Sequence, residues 1–185
     1  MKLHSLTEKF LAAFPVIGPH ADIEGELMLA GQKPIALFDV FTPHPNDDFE
    51  RKKMCYDRLR MDQAVTNGTL VSADREITQE DGESFTMRFF AQPEKEQEML
   101  EFADGYNSGA GLTKSHGAYL GYRKRDICLF RATSILPEPI EKSLINLNTI
   151  FQRAYSDKQL KNAGIEEPNA YFEELKEQLE GNDIA

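Results

Sequence analysis

Residues 93–133 read PEKEQEMLEFADG (93–105), YNSGAGLTKSHG (106–117), AYLGYRK (118–124) and RDICLFRAT (125–133), and the reading of this stretch decides the fold. Pro93 suits the first position of a helix, and Glu94 and Glu96 complement the positive end of its dipole. Met99, Leu100, Phe102 and Ala103 form one apolar face before Gly105 ends the helix. The small and polar residues that follow fit a turn. Beyond it, 118–122 and 126–133 are apolar runs joined by Arg123, Lys124 and Arg125, which predicts two strands in a hairpin with a basic tip.

Working outward, 5–14 predicts a helix: Ser5 and Glu8 fit a capping box, and Leu6, Phe10, Ala13 and Phe14 share a face. The segments 26–30 and 34–41 read as two strands around Gly31, Gln32 and Lys33, a first hairpin, with Asp39 alternating away from Phe38 and Val40. Asn46, Asp47 or Asp48 can cap a helix carrying Phe49, Tyr56 and Leu59, which frays by Asn67 and Gly68; 61–66 also suits a strand. Strands follow at 69–72 and 83–91, with Asp81 and Gly82 as a turn. Phe85, Met87 and Phe89 alternate with Thr86, Arg88 and Phe90, so both faces of that strand are expected to be covered.

Pro139 opens the most regular helix, with Ile140, Leu144, Leu147, Phe151 and Ala154 at steps of four and three. A segment around Leu160 ends at Gly164, and Pro168 starts a last helix with Tyr171, Phe172, Leu175 and Leu179 inward. The sequence therefore predicts an α+β fold, a largely antiparallel twisted sheet of hairpins flanked by helices. It predicts one domain over 1–155, with a helical insertion at 43–68 and a helical extension at 156–185.

The chain has 185 residues and a net charge of −10, which disfavours nucleic acid and anionic membranes as partners. Between 114 and 131 the balance reverses: Lys114, Arg123, Lys124, Arg125 and Arg131 face one acid, Asp126. Cys55 and Cys128 are expected as buried free thiols, Cys128 because it sits in an apolar run. No apolar run reaches the roughly 18 residues of a membrane span, and the N-terminus lacks a signal h-region, so a cytoplasmic protein is expected.

Nothing here names a reaction. The run 109–115 lacks the glycine that precedes the lysine of a phosphate loop, and its predicted helix-loop-strand order reverses the required one. Lys114, Ser115 and His116 supply a nucleophile and a base by residue type alone, because neighbours in an extended segment point apart. The pairings of His44 with Asp47 and Asp48, or His20 with Asp22, fall short of a metal-ligand spacing. No catalytic residue, metal or cofactor is therefore expected. An enzyme site around Lys114, Ser115 and His116 stands as one alternative, and an acidic regulatory or immunity-type binding protein as another.

The order of predicted elements resembles the class I type III secretion chaperones, the Tir and SycE-like family. The similarity is closest over 99–155, which looks like that family's second helix, Gly-rich turn, paired strands and final amphipathic helix; 5–41 is similar to its first helix and opening hairpin. The resemblance implies a homodimer, without cofactor, that holds an extended segment of a secreted effector on apolar patches and strand edges. By correspondence of elements it implies partner contacts at Phe10, Phe14, Leu27, Leu29, Ile35 and Leu37. The implied dimer interface comprises Met99, Leu100, Phe102 and Tyr119. The insertion at 43–68 and the residues after Tyr155 depart from the family pattern.

Overall fold

The computed structural model describes residues 16, 20, 22–41, 47–78, 82–107, 112–133 and 138–181. In chain order its elements are α1 (Glu24–Leu29), β1 (Ile35–Asp39), α2 (Phe49–Thr66), β2 (Val71–Thr78), β3 (Ser84–Ala91), a 3-10 turn (Pro93–Lys95), α3 (Glu96–Gly105), α4 (His116–Tyr119), α5 (Lys124–Thr133), α6 (Glu138–Asn162) and α7 (Pro168–Gly181). β3 is the axis. It lies between β1 and β2 in an antiparallel sheet of order β1-β3-β2, with Phe89 paired to Leu37 on one side and Ala73 on the other. The fold is α+β.

Successive side chains of a strand point to opposite faces, and both faces of β3 are covered, as its sequence predicts. Met87, Phe89 and Ala91 join Ile35 and Ile77 against Met99, Phe102 and Ala103 of α3 and Tyr119 of α4. Phe102 stacks on Tyr119 at 4.9 Å between ring centres and meets Phe89 edge-on at 5.6 Å, arrangements that suit the ring quadrupoles. On the other face, Phe90, Ala36 and Phe38 pack with Met28 of α1, Met61 and Ala64 of α2, and Leu70. A third cluster of Ile23, Leu27 and Leu160, flanked by Ile165 and Phe172, seats the end of α6 and the start of α7 on α1.

Both predicted terminal hairpins are corrected. Residues 26–29 belong to helix α1 with Ala30 as its C-cap, not to a strand, and only β1 remains of that pair. Gly31, at φ 69°, ends the helix: its N–H donates to Met28 O at 3.0 Å, and Gln32 N–H donates to Leu27 O at 2.8 Å, the paired bonds of a Schellman cap. A left-handed glycine after an apolar run serves a hairpin turn and a helix end alike, so the sequence signal was ambiguous. The same pair of bonds closes α2 at Gly68, α4 at Gly121 and α6 at Gly164.

The second hairpin, 118–122 with 126–133, is replaced by the helical turn α4 and helix α5. Here a long-range contact decides. Arg123 binds Asp126 through Nε to Oδ2 at 2.5 Å and Nη2 to Oδ1 at 2.7 Å, a spacing that a helical turn brings together. The buried Asp126 also accepts the Val16 N–H at 2.9 Å. Cys128 therefore lies exposed on α5, contrary to the buried strand position expected, whereas Cys55 is buried as expected.

Elsewhere, 61–66 stays within α2, whose N-cap is Asp48, accepting the Arg51 N–H at 2.9 Å. β2 starts at Val71 and runs to Thr78, longer than the predicted 69–72. α2 lies within the segment 43–68 that the sequence predicts as helical, and its Met61 and Ala64 join the core. α6 runs unbroken through 155–156, where the sequence placed the end of the domain. Leu175 and Leu179 are buried; Tyr171 and Phe172 are half-buried. Asp39 is half-buried on the face it shares with Ile35 and Leu37. The predicted helix 5–14 with Phe10 and Phe14, the candidates His44, Asn46 and Asp81, and the side chains of Ile140, Leu144 and Leu147 lie outside the described residues.

Candidate functional site

α2 explains its own weak periodicity. Its inward stripe comprises Lys53, Asp57, Met61 and Ala64, so the half nearest α1 turns charged residues toward the protein. Lys53 Nζ donates to Asp57 Oδ2 at 2.5 Å and to Glu26 Oε2 at 3.2 Å. Glu26, on α1, accepts from the Tyr171 hydroxyl at 2.7 Å. Arg60 Nη1 stands 3.7 Å from Asp57 Oδ1 and 3.8 Å from Glu26 Oε1. Gly25 allows this approach: a Cβ there would lie 2.5 Å from Asp57 Cγ.

Two carboxylates thus share one buried ammonium. Burial pushes the Asp57 carboxyl from its ordinary 3.8 up to about 6; Lys53 opposes that rise and Glu26 adds to it. Burial alone would lower the Lys53 ammonium, yet Asp57 and Glu26 outweigh it and hold Lys53 above its usual value. The two directions agree physically: burial and the neighbouring Glu26 carboxylate favour a proton on Asp57, while both carboxylates keep the ammonium charged. Asp57 Oδ1 is buried and accepts no hydrogen bond.

The cluster forms one wall of a surface cavity of about 240 Å3, bounded by Asp22, Glu24, Leu37, Phe38, Glu50, Lys53, Met54 and Asp57. α1 supplies Glu24, β1 supplies Leu37 and Phe38, and α2 supplies the rest except Asp22. Phe38 is the apolar side chain of β1 on this face of the sheet, and Met54 is 41% exposed at the rim. Behind Glu24 sits a second buried group. Lys33, 0% exposed, pairs with Glu24 Oε1 at 3.1 Å, meets His20 Nδ1 at 3.0 Å and donates to Leu120 O at 3.2 Å. Burial lowers the Lys33 ammonium, with Glu24 opposing. Burial first, then Lys33 and Arg123, depress the His20 imidazolium to about 3, so His20 is neutral and accepts from Lys33. The three donors of Lys33 are matched to three acceptors, a structural rather than a reactive arrangement.

Of the residues the resemblance singled out, Leu37 lines the cavity. Leu27 and Ile35 are buried in two different clusters, and Leu29 is half-buried beside Met28 and Phe90. Met99, Phe102 and Tyr119 are buried by the chain's own core, with Leu100 half-buried against them. Lys114 pairs with Glu98 at 2.6 Å, and His116 lies against Phe102 and Tyr106 at 5.5 and 5.4 Å between ring centres. Tyr119 donates to Glu101 and meets Thr113 Oγ1 at 3.1 Å, so this corner is an ordered turn. Arg123, on the supposed basic tip, is held by Asp126 and lies 4.3 Å from the Tyr155 ring centre.

Sequence reasoning missed Glu26, Lys33, Lys53 and Asp57. An i,i+4 pair such as Lys53 and Asp57 reads as a solvent-facing pair. The signal that finds it is its phase, four and eight residues from Met61, on the stripe that must turn inward. Among the described residues, no group of three or more His, Cys, Asp or Glu can hold a metal ion, and no helix is long and apolar enough to cross a membrane. No family model, curated protein or solved structure matches this chain.

Proposed function

We propose that this chain is a protein-binding module that holds an extended segment of another protein, in the manner of a chaperone, by taking one of its side chains into the cavity between α1, β1 and α2. The size of that cavity carries the reading. About 240 Å3 falls below the roughly 300–1,000 Å3 of sites that enclose a small-molecule substrate. At about 30 Å3 per water it has room for roughly eight, the scale of one long side chain. Phe38 and Met54 supply the apolar surface that such an anchor needs.

The secreted-effector chaperone is the specific form of this reading. Its dimer is to be sought away from Met99, Phe102 and Tyr119, which the chain's own core covers. Selection from a displayed library of linear peptides tests the proposal. Peptides that bind the wild-type chain are expected to bind the Met54→Arg variant at least about tenfold more weakly, the loss of one well-buried anchor contact. Met54 is exposed, so the change leaves folding intact. Peptides indifferent to Met54→Arg, or a library that yields none, would overturn it.

A further inference from the structure

The cavity opens on a strand edge. β1 is the outer strand on its side of the sheet, and its register with β3 fixes which of its backbone groups are already used. The Val40 N–H donates to Thr86 O at 2.9 Å, which continues the ladder that pairs Asp39 with Met87 and Phe38 with Arg88. In an antiparallel pair these bonds recur at every second residue. Ala36, Phe38 and Val40 therefore turn their N–H and C=O groups toward β3, and Leu37 and Asp39 turn theirs outward.

Leu37 lines the cavity although its side chain packs on the opposite face of the sheet from Phe38. What it presents there is its outward backbone. The open edge is short. Ile35 and Ala36 are 0% exposed, and past Asp39 the Phe41 carbonyl already accepts from Arg58 Nη2 at 3.2 Å. Leu37, Phe38 and Asp39 remain, beside a cavity in which Phe38 and Met54 supply apolar surface. The sheet edge of a second copy, flanked by the same closures, does not fit so short a window, whereas a single extended segment does.

We propose that the bound segment adds to the sheet as a further strand beside β1, exchanging backbone hydrogen bonds with Leu37 and Asp39 and placing the side chain opposite Phe38 in the cavity. This inference rests on the protein-binding reading and specifies how the segment is held. Strand alternation supplies the rest. The residue opposite Phe38 is the anchor, and its two neighbours, opposite Leu37 and Asp39, turn to the other face. Asp39 is half-buried and has no ion-pair partner among the described residues, so the neighbour facing it is lysine or arginine. The chain's net charge of −10 favours such a segment through long-range attraction.

The test uses the full chain and, as probe, a peptide from the library selection whose binding is weakened by Met54→Arg, remade with single N-methyl groups. Its anchor is the residue whose replacement by alanine abolishes the dependence on Met54. Only the neighbours of the anchor point their N–H groups at β1, so N-methylation of either is expected to weaken binding about tenfold, the loss of one hydrogen bond. N-methylation of the anchor itself is expected to be tolerated. Amide hydrogen exchange of the complex is expected to show Leu37 and Asp39 newly protected. Losses without this alternation, an anchor with no basic neighbour, or protection falling instead on Ser72, Asp74 and Glu76 of β2 would overturn the assignment and leave the binding-module reading standing. Protection of Leu37 and Asp39 that rises with protein concentration in the absence of peptide would give the edge to a second copy and overturn the assignment too. A library without Met54-dependent peptides would overturn both.

Discussion

Replacing Lys53 with Met tests the account of the buried cluster most severely. The substitution keeps a long apolar stem and deletes the ammonium that stands 2.5 Å from Asp57 Oδ2 and 3.2 Å from Glu26 Oε2. The Lys53, Glu26 and Asp57 side chains are each at most 4% exposed, so the two carboxylates left behind have little access to water. Removing one partner from a buried ion pair costs about 3–5 kcal/mol, a large share of the roughly 5–15 kcal/mol that holds a domain together. Protons relieve this cost. In the wild-type protein the folded Asp57 carboxyl, raised to about 6 from 3.8, holds its proton more tightly than the unfolded chain does. Its contribution to stability is accordingly greatest at low pH and is lost as pH rises through about 6. Without Lys53 the carboxyl rises further, and protonation rescues more of the fold. Urea unfolding followed by circular dichroism, suited to a chain without tryptophan, is expected to show the loss at neutral pH shrinking markedly near pH 5. A loss below about 1 kcal/mol at neutral pH, or one equal at both pH values, would refute the claim that Lys53 neutralises buried carboxylates.

Two further outcomes follow from single distances. Gly25→Ala adds a helix-favouring residue worth about 1 kcal/mol, yet its Cβ would lie 2.5 Å from Asp57 Cγ; overpacking of roughly 1–3 kcal/mol together with displacement of Asp57 from Lys53 should leave it net destabilised, and a raised melting temperature would contradict this. Both cysteines are free, Cys128 exposed and Cys55 buried, so a thiol reagent should label Cys128 at once and Cys55 only on unfolding; simultaneous labelling in the native state would contradict the burial of α2.

The candidate site was illegible in the sequence for a definite reason. A charged i,i+4 pair is ordinarily solvent-facing, and Glu26 and Lys53 are 27 residues apart. Only the packing of α1 across α2 at Gly25 puts them in reach. Asp22, Glu24, Leu37 and Glu50 carry no common spacing either, since they come to one cavity from a turn, two helices and a strand.

What the sequence by itself determined is what depends on local chemistry. It set the α+β class, a helix ending at Gly105 with its apolar face, a cap among Asn46, Asp47 and Asp48, the two-faced alternation of β3, and the helix opened by Pro168. Each rests on a cap, a turn or a period that neighbouring residues establish together. Tertiary structure alone decided the short apolar runs 26–30, 118–122 and 126–133. Four to eight apolar residues beside a glycine or a polar turn satisfy a strand and a helix equally. The choice fell to contacts made across the chain: Asp126 accepting from Val16, Leu27 packing on Leu160, and Pro34 closing on Gly121, where a Cβ would meet its ring at 2.6 Å.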